Sequence, residues 1–472
     1  MYRRLVLLMV SAAALAACTA VGPDYAPPPM QVAPEWQSPA DTRDIDTTWW
    51  RTLKDPMLAG LIDTALRNNF DLREAEARLR QARADRDAVR GRALPAIDAA
   101  GSATKNRLSE NGQIPVNRIP GFDPTFPLYD IGFDASWEID IWGATRRAVE
   151  GAEARVEAAE EARRSVLLSI VAEVARSYVD LRAAQARLAS ARNDAEAQQE
   201  VARLVGARYR AGEASRFDFA RADAQAQTTT AELQSLEVDA TAAAYRIGVL
   251  IGQPPEKIPE TLLVRGALPQ APSVVPVGLR ADLLRRRPDV RQAERELAAA
   301  TADIGVATAD LFPRFSLIGG VGLQARDTDD LTSGDSLRFQ AGPTFHWPLF
   351  SGGRIRAQIR AADAKAEAAA ARYERLVISA LSESETAINR FSAAQETRRR
   401  SEAARAQSAV ALDLARQRYR AGEDDLIVLL NAQSAFSLAD RQSVEARAAE
   451  LNALIALYKA LGGGWEQGEG GA

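Results

Sequence analysis

The residues able to do chemistry are few. The 472-residue chain holds one histidine, His346, and one cysteine, Cys18, so neither a His/Cys metal cluster nor a Cys–His dyad can be assembled from it. No metal site and no catalytic residue are expected. His346 lies in a stretch of strict polar–apolar alternation, where a solvated strand side chain explains it better than a ligand does. Gly319-Gly320-Val321-Gly322 is followed by no Lys-Ser/Thr and sits mid-strand, so it is not a phosphate loop. Serines and carboxylates abound, but mostly on solvated helix faces. The net charge of −4 gives no reason to expect nucleic acid as a partner. An enzyme is not expected.

Cys18 is the one reactive group with an informative context. Arg3 and Arg4 precede an apolar run from Leu5 to Leu15 that is too short to span a bilayer as a mature helix, which makes residues 1–17 a secretory signal. The run closes on Leu15-Ala16-Ala17-Cys18, similar to the lipobox of bacterial lipoproteins, where small residues serve the peptidase and the cysteine sulfur receives a lipid. By that resemblance the only non-protein group expected is a covalent lipid on Cys18, with no cofactor; the alternative is an ordinary signal peptide with an incidental cysteine. Thr19 stands where an Asp would favour inner-membrane retention, which favours outer-membrane delivery. A single cysteine also excludes a disulfide within the chain.

The elements around these residues come in two copies. Arg208-Tyr209-Arg210-Ala211-Gly212-Glu213 returns unchanged as Arg418-Tyr419-Arg420-Ala421-Gly422-Glu423, a shift of 210 residues that also takes Trp137 to Trp347. Leu94-Pro95 returns as Phe312-Pro313 at a shift of 218, because the segment between the matched points is eight residues shorter in the second copy. Units this long are a duplicated module rather than solenoid repeats. The expected organisation is a lipidated N-terminal segment over 18–56, a first copy over 57–252 and a linker over 253–277. A second copy over 278–461 and a tail over 462–472 complete it.

Strands are expected at about 96–106 and 129–142 in the first copy, and at about 314–326 and 337–350 in the second. Ile131, Phe133, Ala135, Trp137, Ile139 and Ile141 share one face, against Asp130, Asp134, Glu138 and Asp140 on the other. Phe339, Ala341, Pro343, Phe345, Trp347 and Leu349 likewise oppose Arg338, Gln340, Thr344 and His346. That contrast suits a strand between lipid and water, with a soluble sandwich strand as the alternative. The first hairpin loop, 108–127, is long and carries four prolines, whereas 327–335 is short and acidic.

No stretch after the signal is apolar enough to be a transmembrane helix, so a mature chain that crosses a membrane must do so with strands. Four strands cannot close a barrel, and an open edge in lipid leaves backbone groups unpaired at several kcal/mol each. A homotrimer with about twelve strands is expected. From Thr145 to Ala211 there is no proline and little glycine, which gives one helix of roughly 65 residues. Leu167, Val171, Val174, Tyr178 and Leu181 make a coiled-coil seam in it, and Val377, Leu381, Ser384, Ile388 and Phe391 make one in the second copy. A shorter helix returns over 215–251, and one over 71–93 precedes the first strand. End to end these two match the long one, as if stacked to form its antiparallel partner.

This plan, the repeated Tyr-Arg-Ala-Gly-Glu turn and Val21-Gly22-Pro23-Asp24-Tyr25 after Cys18 resemble the TolC-like outer membrane efflux proteins, and within them the lipidated NodT subfamily. Arg287-Pro288-Asp289-Val290 and Phe312-Pro313 are similar to that family as well. The resemblance implies an α+β membrane protein, with a trimeric 12-stranded outer-membrane β-barrel continuing into a periplasmic α-helical barrel. It implies a passive exit duct, lipid-anchored in the outer membrane, that docks on a periplasmic adaptor and an inner-membrane pump of the resistance-nodulation-division type. A type I secretion duct is the alternative within that class. A non-pore coiled-coil lipoprotein, structural or adaptor, is the alternative outside it.

For such a duct the helix-hairpin tips carry the function. Gly212 and Gly422 suit the left-handed turn, and Glu213 and Glu423 lie near the next helix N-terminus. These four residues mark the expected adaptor contact. The resemblance implies acidic residues near the narrowest ring, which points to Asp424 or Asp425; the alternative is that both only cap a helix. Leu429-Leu430-Asn431-Ala432-Gln433 has Asn where relatives often have Asp. In the first copy Arg221 matches Asn431, and Asp218 matches Val428. Arg216 or Arg221 is expected to pair with these acids across helices and hold the tip shut. Tyr209 and Tyr419 either bond a neighbouring hairpin or, by default, pack before the turn.

Overall fold

The computed structural model describes residues 20–29, 33–39, 41–109, 120–121 and 123–464. The signal segment, Cys18, Thr19, most of the first hairpin loop and residues 465–472 of the tail lie outside the described residues. The principal elements are α1 (Pro56–Asn68), α2 (Phe70–Gly91), β1 (Ala96–Arg107), β2 (Thr125–Ile139), α3 (Ala144–Arg210) and α4 (Arg216–Leu250). Short helices α5 (Glu260–Leu263) and α6 (Leu283–Arg286) follow, then α7 (Pro288–Ala309), β3 (Arg314–Ala325), β4 (Leu337–His346), α8 (Arg354–Ala421) and α9 (Leu426–Ala460). The chain forms two compact units: residues up to Pro28 with Leu79–Ala159 and Ala293–Tyr373, and the remaining stretches Pro29–Arg78, Glu160–Gln292 and Glu374 onward.

The first unit holds one antiparallel sheet in the order β1-β2-β3-β4. Its register lines up the apolar positions of all the strands. Ile97 faces Ala135, Phe133 faces Val321 and Val321 faces Phe339, with Trp137 opposite Leu317 opposite Pro343. A slip of one residue would mix the faces, so the alternation specifies the pairing. The apolar side is bare, with Phe339 at 81% exposure. On the other side Arg338 on β4 grips the Asp130 carboxylate on β2 in a fork of 2.6 and 2.9 Å, and Gln324 on β3 donates to the same carboxylate at 2.7 Å.

Strand ends differ from expectation where proline and glycine intervene. β2 starts earlier, at Thr125, because Pro127 lies beyond Tyr129, the last residue paired with β3, and its missing N–H opens no gap on that side. β4 stops at His346, ahead of Pro348 and the positive-φ glycines Gly352 and Gly353, so Trp347 and Leu349 continue as an exposed apolar segment outside the strand. The two matched indoles make the same bond: Trp137 donates to the carbonyl of Ala93 at 2.9 Å and Trp347 to that of Leu311 at 3.1 Å.

In the second unit the expected seams are buried. Val171, Val174, Tyr178 and Leu181 of α3 are almost fully covered, as are Val377 and Ser384 of α8; Leu451, Leu454 and Tyr458 of α9 are covered too. The end-to-end stacking of helices is present in both copies. Asn69, just before α2, donates from its side-chain amide to the carbonyl of Leu250 at the end of α4, at 2.9 Å. Arg287, its match before α7, donates to the carbonyl of Ala460 at the end of α9, at 3.1 Å. Matched glycines complete the joints: a Cβ on Gly252 would lie 2.6 Å from the carbonyl oxygen of Asn68, and one on Gly462 3.2 Å from that of Arg286.

The chemistry of the joints differs. Asn69 also accepts from the amides of Asp71 and Leu72, capping α2. In the second copy Pro288 opens the helix without an N–H, and Arg287 is free to fork onto Asp289 at 2.7 and 3.0 Å and to reach Glu383 at 2.9 Å. The N-terminal segment packs here too. Trp49 stacks on Tyr458 at 5.0 Å, and Tyr178 donates to Asp55 at 2.7 Å.

Burial raises the Asp289 carboxyl, but the hydrogen bonds and charge of Arg287 outweigh it and leave it below the ordinary carboxylate range. A carboxyl depressed in the folded state stabilises above its unfolded pKa of about 4, and that contribution is lost as pH falls through the folded value. Arg287→Ala is therefore expected to cost about 2 kcal/mol near neutral pH, measured by denaturant unfolding, with the gap to the parent protein closing in acid. Asn69→Ala is expected to cost about 1 kcal/mol with no such closing.

Candidate functional site

Both hairpin tips lie in the second unit, and both end their long helix in the same way. Glu213 N–H returns to the carbonyl of Arg208 at 2.8 Å and Gly212 N–H to that of Tyr209 at 3.0 Å; the matched bonds from Glu423 and Gly422 are 3.0 and 3.2 Å. Gly212 and Gly422 sit at φ of 79° and 77°. A Cβ at either would meet no atom within 4 Å, so torsion rather than space demands glycine.

Beyond the glycines the tips diverge. Ser215 caps α4 and forms a reciprocal capping box with Asp218, whose carboxylate also receives the Ser215 hydroxyl at 2.6 Å. Asp425 occupies the matched position before α9, yet its side chain accepts no backbone amide. Asp424 is held by Arg418, which approaches it at 2.8 Å and lies 3.9 Å from Glu423. Asp425 thus presents an exposed carboxylate that, among the described residues, no ion pair or cap engages. Arg216 and Arg221 are exposed, and among the described residues neither forms an ion pair within the chain. Asn431 is exposed as well.

The identical hexapeptides place their tyrosines differently. Tyr419 is 7% exposed, packed among Val205, Leu412, Leu426 and Leu429. Tyr209 is 39% exposed and stacks flat on Phe219 at 5.6 Å. Arg208 of the first tip lies 5.3 Å over the Tyr419 ring, which joins the two turns. Arg208, Phe219 and Arg418 were not singled out from the sequence. For the arginines a signal existed, since both belong to the repeated hexapeptide and one is followed by acids.

Asp218→Ala is expected to remove about 1 kcal/mol of capping, seen as faster amide exchange in the first turn of α4. Asp425→Ala is expected to leave the first turn of α9 unchanged, because that side chain caps nothing.

Comparison with known proteins converges on one family. The profile of the family described as outer membrane efflux protein matches residues 61–253 and 279–463. Outer membrane protein OprJ of Pseudomonas aeruginosa is 32% identical over 471 residues, with 98% of this chain and 96% of the relative covered. Nodulation protein T of Rhizobium leguminosarum bv. trifolii is 30% identical over 451 residues, with 94% of each covered. The solved outer-membrane channel OprN superposes with a TM-score of 0.86 at 37% identity, covering 94% of this chain and 99% of that one. The relatives are transport channels rather than enzymes. The sheet with its bare apolar face and the paired helical hairpins are thus those of an outer-membrane channel, and this chain belongs to the outer membrane efflux protein family.

Proposed function

We propose that the chain works as a homotrimeric exit duct, passively conducting small molecules delivered by a periplasmic adaptor and an inner-membrane pump of the resistance-nodulation-division type. The observation that carries this is the sheet, which has one continuous apolar face and two outer strands, β1 and β4, without a partner among the described residues. In lipid those edges need strands from neighbouring copies. A tethered coiled coil without a pore needs no such face. Cys18 carries the lipid, and no cofactor takes part. The tips form the periplasmic closure and the adaptor contact. Asp425, exposed and uncapped, supplies the acidic ring, and Arg216 and Arg221 of neighbouring copies meet it.

Single-channel recording of the purified protein in planar bilayers tests this reading. Discrete, cation-favouring steps of low conductance are expected. Asp425→Ala is expected to lower the cation preference, and Arg221→Glu to raise the resting conductance. No steps from folded, helical protein would move the assignment to a tethered coiled coil. On the sheet, Phe339→Lys is expected to impair membrane assembly, at about 2–4 kcal/mol for a charge at mid-bilayer. Gln340→Lys on the other face is expected to be tolerated; equal loss from both would count against a lipid-facing side.

A further inference from the structure

Val21-Gly22-Pro23-Asp24-Tyr25 is bound into the first unit at every turn. Val21 N–H donates to the carbonyl of Trp142, just past β2, at 3.0 Å. Arg147, in the first turn of α3, donates back to the carbonyls of Val21 at 3.2 Å and Gly22 at 3.4 Å, and to the Asp24 carboxylate at 2.6 Å. Its remaining bond goes to Glu150 at 2.8 Å. Tyr25 donates to Glu294 on α7 at 3.1 Å, with Arg295 5.6 Å from its ring.

The seat is cut from glycine. Gly22 has φ of 92°, and a Cβ on it would lie 2.4 Å from the Cα of Gly305 on α7. A Cβ on Gly305 would in turn meet the carbonyl oxygen of Val21 at 2.7 Å. The strap therefore bridges α3 of the first copy and α7 of the second. Arg147 is only 5% exposed although Asp24 is almost wholly in solvent. A buried guanidinium that divides its bonds between two strap carbonyls and two carboxylates holds the path of the strap as well as its charge.

We propose that Arg147 is a positioning residue for the membrane anchor: by clasping the strap at the strand-to-helix boundary, it fixes where the lipid on Cys18 enters the membrane. Cys18 precedes Ala20 by two residues, which span at most about 7 Å, so a clasped strap bounds how far the attachment point can lie from Ala20. The inference rests on lipidation of Cys18, which the test reads separately.

A nitroxide on Pro23→Cys reports the strap, because lipidation consumes the Cys18 thiol and leaves this one free. Mass spectrometry of the N-terminal peptide reports the lipid. With Arg147 intact, the label in lipidated protein in vesicles is expected to be immobilised at one depth, by relaxation with oxygen and a water-soluble nickel chelate. Arg147→Ala is expected to lose the immobilised component and the single depth while the lipid remains. Arg147→Lys, which keeps a charge but not the fork, is expected to fall between. If Arg147→Ala is not recovered from membranes, Asp24→Ala, at an exposed side chain, is expected to loosen the label in part. A label equally immobile in these variants, or mobile with Arg147 intact, overturns the proposal. Absence of the lipid mass overturns instead the reading on which it rests.

Discussion

A peptide N–H in hydrocarbon has no water to turn to, and everything in the first unit answers to that fact. Antiparallel pairing satisfies the inner edges of the four strands, and the period of two then forces every second side chain to the same side. Prolines sit where the missing donor does least harm. Pro127 lies past the last β2–β3 pair, and Pro343 lies on β4, an outer strand of the sheet. The same accounting sends the indole donors of Trp137 and Trp347 to the carbonyls of Ala93 and Leu311. One-sided apolarity and the need for further strands at the edges both follow.

Duplication kept the geometry and let the chemistry drift. The joints at Asn69 and Arg287 serve the same carbonyl position, one with an amide and one with a guanidinium. The tips share six residues and nearly identical turns, yet Ser215 caps its helix with help from Asp218, while the matched Asp425 caps nothing. An interaction that fixes backbone position has been preserved by shape. Those that set charge have diverged.

Much of this was legible in the sequence, for reasons that differ by element. The strands were readable because a single face is apolar, and the helices because proline is absent and the seams step by three and four. The tips were readable because glycine at a positive φ has few substitutes. The stacking at the joints was expected from helix length, but the bonds that hold it were not, since they join residues some 170–180 positions apart. The packing of Trp49 on Tyr458 was hidden for the same reason. At the tip the acids were found, but the hold of Arg418 on Asp424 was missed, because the turn that brings them together reverses the chain between them.

The joint at Arg287 leans on two carboxylates, Asp289 and Glu383. The shifts that relate the copies carry these positions back to Asp71 and Glu173, so the first copy has an acid at each matched position. It lacks the guanidinium, because Asn69 stands in that place, and Phe70 stands where the second copy has Pro288. Acids at both pairs of matched positions, with a guanidinium in one copy only, mean that the charge of the joint turns on one side chain. The asymmetry between the halves of this chain is, at that point, a matter of occupancy rather than of architecture.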